Sequence, residues 1–450
     1  MRQAVDPAMA LKSAEYPRLV PEPARGPSKA IPGASPRRSP SRTTVARDTD
    51  PEALIGLLRA QMRQSVNAGA SAEAQEFARR LRMRIDAHTA GREGLTDAKL
   101  AALLLETGTV EAFCQRHIHA LADYSRALRL ATSFPALRDA IALRAALINA
   151  AYGRLHEAAR LLGSVAEPLP STPEGEATAL LTRTLIAVER VDGEAAELLD
   201  RLTDVDCGSF WPFEVLARAR WQLTQGFYAA ALNLVAFAEA EHVVSPSMIA
   251  ESVIAATRSA ALTHLGHPGA ALEVIGAVAV ETPELRLMRG RARFQLGDDV
   301  AAEEQIDAVV RDEAAGPIVS AEAVLLKLWI AERRQDDAVT WFASLANRAV
   351  TAENLVRTLS SVPVRISSAV CPGSFSRIDI REPRSASGLR NSQMMVLREL
   401  QIGGSLIEIA ERLQLSVNTV RTHSKAIYKR LDVHTREEAV SLARATGLLS

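Results

Sequence analysis

The sequence has few cysteines, no long apolar run and no secretion signal. Its three cysteines, Cys114, Cys207 and Cys371, are far apart in 450 residues and odd in number. They therefore do not suggest the paired framework of a small secreted protein, and they are typical of a reducing cytoplasm. No apolar stretch approaches the roughly 20 residues of a membrane span, and prolines and charges occupy the N-terminus where a signal peptide would be apolar. We expect a cytoplasmic protein that does not associate with a membrane.

Patterns typical of enzymes and bound cofactors are also missing. The stretch GREGLTD, Gly91–Asp97, lacks the Lys and Ser/Thr positions of a phosphate-binding P-loop. In CQRHIH, Cys114 and His117 share a helical face, but zinc would need a second ligand cluster. A core cysteine beside surface histidines is the favoured interpretation. The sequence predicts no enzyme, no metal site and no cofactor.

Aromatic residues make up only 4% of the chain, whereas alanine is abundant. This composition favours closely packed helices over a β-sandwich. From Pro51 to about Leu359 a unit recurs, in which an apolar helix, a short turn and a second Ala/Leu-rich helix follow one another. Its clearest copies are ALINAAYGRLHEAARLL, ARWQLTQGFYAAALNLV, AALTHLGHPGAALEVI and ARFQLGDDVAAEEQI, with turns at Gly153, Gly226, Gly266 and Gly297; looser copies are VERVDGEAAELL and AERRQDDAVTWF.

Each such pair cannot bury its apolar face alone, so successive pairs stack. The pattern resembles degenerate tetratricopeptide repeats, in which most of the Trp, Tyr and Pro signature positions are absent. We predict an all-α fold with an α-solenoid of helical repeats over residues 48–359. An irregular helical bundle remains the alternative.

Two other segments separate from this array by composition. Residues 1–47 hold eight prolines and a net charge of +6, which predicts a disordered basic tail. Residues 360–388 carry Pro363, Pro372 and Pro383 among scattered Ser and Gly, which predicts a linker. The chain is formally neutral, yet residues 48–387 carry 35 Lys/Arg against 44 Asp/Glu, and residues 388–450 carry nine against six. The C-terminal segment is therefore basic and the array acidic.

Residues 389–450 return to helical periodicity. We predict helices at Ser392–Ile402, Ser405–Leu413, Val417–Leu431 and Arg436–Thr446, with Gly403 and Gly404 ending the first and Ser405 and Ser416 as N-caps. In the third helix Val420, Ser424, Ile427 and Leu431 form one line. The opposite face carries Asn418, Arg421, Thr422, Lys425 and Lys429 and no acid, and these residue types reach base edges and phosphates when a helix enters the major groove.

The segment SLIEIAERLQLSVNTVRTHSKAIYKRLDVHTREEAVSLARATGLL resembles the LuxR-type helix-turn-helix domain of bacterial transcription regulators. The landmarks are Glu408-Ile409-Ala410, then Ser416, Thr419-Val420-Arg421 and His423, then Ile427, Arg430-Leu431 and Val433, and finally Arg436 and Glu438-Ala439-Val440. Sigma-factor region four shares the helix-turn-helix core. It normally ends soon after the recognition helix, whereas a fourth helix is predicted here. The large ATP-binding LuxR-type regulators join helical repeats to the same domain, and this chain resembles their C-terminal portion without the ATPase.

The resemblance implies a double-stranded DNA partner and roles for particular residues. Asn418, Arg421, Thr422 and Lys425 are predicted to contact the groove, while Thr419 and Lys429 are predicted to hold phosphate. Val420 corresponds to a position that can touch a thymine methyl, although its periodicity places it in the core. His423 is predicted to pack rather than to read bases.

Two positions depart from the family pattern. The first helix opens with RNSQMM instead of T-P-R-E-x-E, so Asn391 or Ser392 would have to cap it. Gln414 stands where a turn glycine is usual, which costs about 1 kcal/mol if φ is positive there.

These observations together predict a transcription regulator. The C-terminal domain would bind DNA as a homodimer through helix 436–446, and the array would sense an unknown ligand or protein effector. The alternative is a helical-repeat adaptor whose C-terminal helices bind a protein partner.

Overall fold

The computed structural model describes residues 57–58, 60–62, 64–65, 71–91, 96–165, 172–242, 247–371, 391–413, 417–431, 433–445 and 449. The predicted tail, residues 1–47, and most of the predicted linker lie outside these residues. Within them every regular element is a helix, which confirms the all-α prediction. None of the described helices is both long and apolar enough to cross a membrane.

The described residues form two compact units, one up to residue 371 and one from residue 391 onward. Short 3-10 helices occur at Leu202–Asp204, Gly208–Phe210 and Val356–Ser361 of the first unit. Its α-helices are α1 Ser71–Gly91, α2 Asp97–Phe113, α3 His117–Leu130, α4 Pro135–Tyr152, α5 Leu155–Gly163, α6 Pro173–Arg190, α7 Ala195–Arg201, α8 Trp211–Thr224, α9 Tyr228–Glu241, α10 Met248–His264, α11 Pro268–Gly276, α12 Pro283–Gln295, α13 Asp299–Val310, α14 Pro317–Arg334, α15 Val339–Glu353 and α16 Val364–Val370.

Threonine-proline pairs mark the start of two long helices in this unit. Thr172 and Thr282 accept hydrogen bonds from the backbone N–H groups of Gly175 and Leu285, each at 3.2 Å, and a proline follows each threonine. The hydroxyl satisfies an N–H that the helix leaves unpaired, and proline lacks a donor where none is needed. These positions therefore fix where α6 and α12 begin.

The predicted turn glycines each join two helices. Gly153, Gly226, Gly266 and Gly297 have φ values of 94°, 75°, 84° and 82°, which glycine adopts without steric cost. The looser copies turn at non-glycine residues in the same left-handed region, Val191 with φ 56° and Gln335 with φ 58°. At these two turns the surrounding packing outweighs a cost of about 1–2 kcal/mol each.

The helices from α2 to α15 pack as seven consecutive pairs. The first helix of each pair also contacts the first helix of the next pair, so that α2, α4, α6, α8, α10, α12 and α14 form an inner layer. The pairs are consistent with the predicted repeats, and their assignment to the tetratricopeptide class stays an interpretation.

The array differs from an open solenoid because its early and late pairs touch. A Cβ atom on Gly316 would lie 2.7 Å from the Tyr152 carbonyl oxygen, and one on Gly153 would lie 2.6 Å from Cγ1 of Ile318. Nearby, the His156 backbone N–H donates to Glu353 at 2.9 Å. In a simple repeat array each unit contacts only its neighbours. Here the end of α4 meets the start of α14, so the inner layer closes on itself.

The predicted start of the linker at residue 360 is wrong. Pro363 precedes α16, and Ile366 and Val370, one helical turn apart, are both buried in the array core. Asn347 donates to the Val370 carbonyl at 2.7 Å and holds the end of this helix to α15. Proline interrupts a helix in its interior, whereas Pro363 directly precedes the first residue of this one.

The three cysteines are free and buried. Burial raises the pKa of Cys114 to about 11, so this thiol is a core residue rather than a nucleophile. The expectation of surface histidines beside it is wrong for His117, which is 3% exposed and stacks on Tyr152 with ring centroids 3.8 Å apart. His119 is exposed. No cluster of three or more His, Cys, Asp or Glu side chains suited to a metal occurs among the described residues.

Candidate nucleic-acid interface

The second unit consists of four described helices around its own core. They are α17 Asn391–Ile402, α18 Leu406–Leu413, α19 Val417–Leu431 and α20 Arg436–Ala445. The bounds of α19 agree with the sequence prediction, and the other three agree within one residue. The buried residues of the core are Val396, Leu397, Leu400, Ile409, Ala410, Val420, Ile427, Ala439, Ala443 and Leu449.

The turn between α17 and α18 is set by two glycines and a capping box. Gly403 and Gly404 have φ values of 107° and 100°, and a Cβ atom on Gly404 would lie 2.5 Å from a carboxylate oxygen of Glu408. The Ser405 hydroxyl accepts from the Glu408 N–H at 3.3 Å, and the Glu408 carboxylate accepts from the Ser405 N–H at 3.0 Å. Ser405 is confirmed as an N-cap, and this reciprocal pair fixes the first turn of α18.

A second capping box begins α20. Glu438 accepts from the backbone N–H groups of His434 and Thr435 at 2.8 and 3.3 Å, and its own N–H donates to the Thr435 hydroxyl at 3.1 Å. These hydrogen bonds lower the pKa of Glu438 below its ordinary value, and the bond from His434 has the largest effect. The other caps predicted from the sequence, Ser416 and the side chains of Asn391 and Ser392, lie outside the described part of the chain, as does Gln414.

Two arginines link the helices, and sequence reasoning did not find this role. The Arg436 guanidinium donates to the Leu400 carbonyl at 2.7 and 2.8 Å and to the Gly404 carbonyl at 2.7 Å. Arg412 donates to the Gly403 carbonyl at 2.8 Å and pairs with Glu399 at 2.6 Å. Both satisfy carbonyl groups at the end of α17, where four C=O groups lack helical partners. The only sequence signal for these contacts was that both arginines follow the Gly-Gly turn in the chain.

The outer face of α19 presents the side chains that were predicted to reach DNA. Asn418, Arg421, Thr422, Lys425 and Lys429 are exposed, and Thr419 is half-buried. The Thr422 hydroxyl donates to the Asn418 carbonyl at 2.8 Å, and Arg421 approaches the Asn418 amide oxygen at 3.4 Å. The helix therefore brings these groups together on one surface.

Val420 lies on the opposite side of α19. It is 0% exposed and belongs to the core, so its predicted contact with a thymine methyl is corrected. The reason is the helical period, which aligns Val420 with Ser424 and Ile427. Ser424 is also buried and donates to the Val420 carbonyl at 2.9 Å. His423 is half-buried beside this line.

The exposed face is electrostatically uniform. α19 contains four cationic residues and no acid. Among the described residues, Arg421, Lys425 and Lys429 form no ion pair within the structure. Their charges are available to an external anion.

The comparisons with known proteins concern this part of the molecule. Residues 388–443 match the model of bacterial regulatory proteins of the luxR family. These residues contain α17, α18, α19 and all but the last two residues of α20.

The chain is also similar to the HTH-type transcriptional activator RamA of Corynebacterium glutamicum, with 30% identity over 105 residues. That alignment covers 23% of this chain and 33% of RamA, so the chain spans about a third of the length of the curated relative it matches. The family match, the four helices and the capped turn that begins α18 agree with one another. The C-terminal unit of this protein is a LuxR-family helix-turn-helix domain.

Proposed function

We propose that this protein is a sequence-specific DNA-binding transcriptional regulator in which α19 enters the major groove. The observation that carries the proposal is the outer face of α19. There Arg421, Lys425 and Lys429 are exposed and form no ion pair with the described residues. A solvated helix face commonly mixes charges of both signs, and intrahelical pairs stabilise it. A face of one sign is better suited to an anionic partner.

The roles of the individual residues follow from chemistry and position. Arg421 and Lys425 donate to base edges, while Asn418 and Thr422 supply both donors and acceptors. Thr419 and Lys429 contact phosphates and fix the register of the helix on the duplex. These assignments lead to no catalytic step, and we propose a regulator without enzymatic activity.

The domain acts as a homodimer through α20. Glu437 and Ser441 are exposed on this helix, one turn apart, whereas Ala439 and Ala443 face the domain core. Two domains related by a twofold axis read half-sites whose centres are about one helical turn, ~10 base pairs, apart or a multiple of it. Footprinting of a bound fragment measures this spacing, and a single protected half-site contradicts the dimer.

The helical array is the controlling part of the protein. Helical-repeat arrays offer large surfaces to a ligand or a protein effector, and this array also encloses an inner layer of helices. We infer that an effector bound to the array changes the affinity of the C-terminal domain for DNA.

The decisive experiment selects genomic fragments with the full-length protein and then titrates salt against the tightest fragment. Each phosphate contact contributes a slope of about −0.9 in a plot of log affinity against log salt. If Lys429 and its neighbours on two domains contact phosphates, the slope is steep. The selected fragment is then also bound more tightly than a scrambled fragment of equal length. A shallow slope without a sequence preference favours the alternative function, an adaptor whose C-terminal helices bind protein.

A further inference from the structure

A small cavity lies inside the array, where the inner-layer helices α8, α10, α12 and α14 meet the 3-10 helix Val356–Ser361. Its volume is about 70 Å³. A neighbouring cavity of about 40 Å³ shares Arg220 and Glu284 with it and reaches His117 and Tyr152. The larger cavity has room for about two water molecules, or for an ion with roughly four heavy atoms.

The charged part of the cavity lining is a cluster of arginines and glutamates, and Thr257, His264 and Ser361 are among the other polar residues that line it. Arg357 is bound on two sides, since its Nε donates to both oxygens of Glu189 at 2.8 Å and its Nη2 donates to Glu322 at 2.9 Å. Although burial raises the pKa of Glu322, the charges of Arg357 and Arg291 outweigh this effect and lower it. Arg357, Glu189 and Glu322 thus form a closed ionic unit.

Arg291 is different because half of its guanidinium lacks a partner. The residue is 4% exposed, and its Nη1 donates to the Ser361 carbonyl at 2.6 Å. Its Nε and Nη2 atoms have no hydrogen-bond partner among the described residues. The nearest carboxylate oxygen, on Glu322, is 3.6 Å from Nη2, which is too long for a hydrogen bond.

Arg220 adds a second incompletely bonded guanidinium to the same lining. It is 7% exposed, and its Nη1 lies 3.0 Å from Glu189 without the alignment of a hydrogen bond. A buried charged donor without a hydrogen-bond partner is destabilising. Of the buried polar atoms without such a partner among the described residues, three lie on Arg220 and Arg291 and one on Ser361, and all three residues line this cavity.

Burial acts against the charges of this cluster. Three guanidinium groups, on Arg220, Arg291 and Arg357, lie among the carboxylates of Glu189, Glu284 and Glu322. Burial raises the pKa of Glu284 and lowers the pKa of Arg291. An anion beside Arg291 would favour its charged form, because an adjacent opposite charge offsets the cost of burial.

We propose that this cavity binds a small carboxylate, held side-on by Nε and Nη2 of Arg291 with a further bond from Arg220. Nε and Nη2 form one edge of the guanidinium, and this edge matches the two oxygens of a carboxylate. The apolar side of the cavity surrounds a short alkyl group. It is lined by Leu223, Ala256, Ala260, Leu287 and Met288. The proposal rests on the sensor role inferred above and specifies the chemical class of the effector.

The test uses the full-length protein without DNA. Calorimetry and thermal unfolding are measured with formate, acetate, propionate and butyrate, with the matched amides acetamide and propionamide, and with inorganic phosphate. We expect the two- and three-carbon acids to bind and to raise the melting temperature, and the amides to have no effect. Equal binding of amides, preferential binding of phosphate, or no binding of any acid overturns the proposal.

Two variants locate the site. Arg291→Lys keeps the charge but loses the planar edge, so we expect affinity to fall about tenfold or more. Arg289→Lys is the matched control, because Arg289 lies on the same helix and pairs with Glu281 outside the cavity. Should Arg291→Lys fail to fold, Ala260→Leu fills the cavity and leaves both arginines in place. Undiminished binding in the folded Arg291→Lys protein, or in Ala260→Leu, overturns the proposal.

Operator binding is measured separately, with and without the carboxylate. If no carboxylate binds while the operator still binds, only this inference fails and the proposed function stands. If a carboxylate binds but no operator can be selected, the cavity site stands and the proposed function fails.

Discussion

Arg357 in the array and Arg421 on α19 have opposite surroundings. In the array, Arg357 is buried between Glu189 and Glu322, and even the exposed Arg365 pairs with Glu332 at 2.8 Å. On α19, Arg421 is exposed and no described acid pairs with it. The residue type is the same, so the presence or absence of nearby acids separates a cation that stabilises the fold from one available to a partner.

The largest effect is expected when the unpaired cations of α19 are removed. Arg421→Ala with Lys425→Ala should cost about 2–6 kcal/mol of operator-binding free energy, since each base-reading or phosphate contact contributes about 1–3 kcal/mol. Fluorescence anisotropy with a selected operator measures the loss, and circular dichroism should show unchanged helicity. The control pair Arg201→Ala with Arg311→Ala removes the same charge from exposed positions of the array. An equal loss in both proteins would contradict the comparison.

The next effect concerns the buried arginine of the array. Arg357→Met removes the hydrogen bonds that Glu189 and Glu322 accept in the core, and we expect the free energy of unfolding of the array to fall by about 3–5 kcal/mol. Urea unfolding followed by circular dichroism measures this change. Arg365→Met, which breaks an exposed pair, should leave the stability nearly unchanged. Similar effects of the two substitutions would show that burial does not distinguish these ion pairs.

A smaller, pH-dependent effect is expected from His117. Burial, with a smaller contribution from the charge of Arg154, lowers the pKa of this residue to about 4, although Asp312 opposes the shift. The imidazole therefore contributes stability that is fully present above pH 6.5 and is lost as the pH falls from 6.5 to 4. The loss reaches at most about 3 kcal/mol.

Urea unfolding at several pH values checks this expectation. His117→Gln should flatten the dependence between pH 6.5 and 4, whereas His119→Gln, at an exposed position, should not. If both variants keep the slope of the parent protein, His117 does not cause it.

The smallest effect is expected at the turn before α18. Ser405→Ala removes the N-cap hydroxyl and should destabilise the C-terminal unit by about 1 kcal/mol. Hydrogen exchange of the α18 amides measures the local loss, with Ser441→Ala at an exposed position of α20 as the control. Unchanged exchange in Ser405→Ala would mean that Arg412 and Arg436 alone hold this turn.

Much of the C-terminal unit could be predicted because its signals are local. The apolar stripe of α18, the Gly-Gly turn and Ser405 each act within a few residues, and the helix bounds follow from them. The face of α19 follows from the same period, which separates Val420 from Arg421 by about 100° around the helix. The DNA contacts of that face stay a prediction.

The array was less predictable in detail because its decisive contacts are distant in sequence. Glycine identified four of its turns, but Val191 and Gln335 adopt the same backbone conformation without a local signal. The segment after residue 360 carries prolines and serines, which give no local signal for a packed helix. The array surface beneath it decides that α16 packs there. The sequence predicts His117 at the surface beside a core cysteine, yet Tyr152 stacks on it and it is buried.

The sequence by itself determined that the chain is helical, where the helices of the C-terminal unit begin and end, and which face of α19 carries cations. These properties depend on backbone preferences and on the helical period, which act over a few residues. Only the tertiary structure decided that the array closes between Gly153 and Gly316, that Arg357 is enclosed by two glutamates, and that Arg291 keeps an unpartnered edge beside a cavity. An arginine acquires its partners from helices that are many residues away, so its charge can be read from the chain but its surroundings cannot.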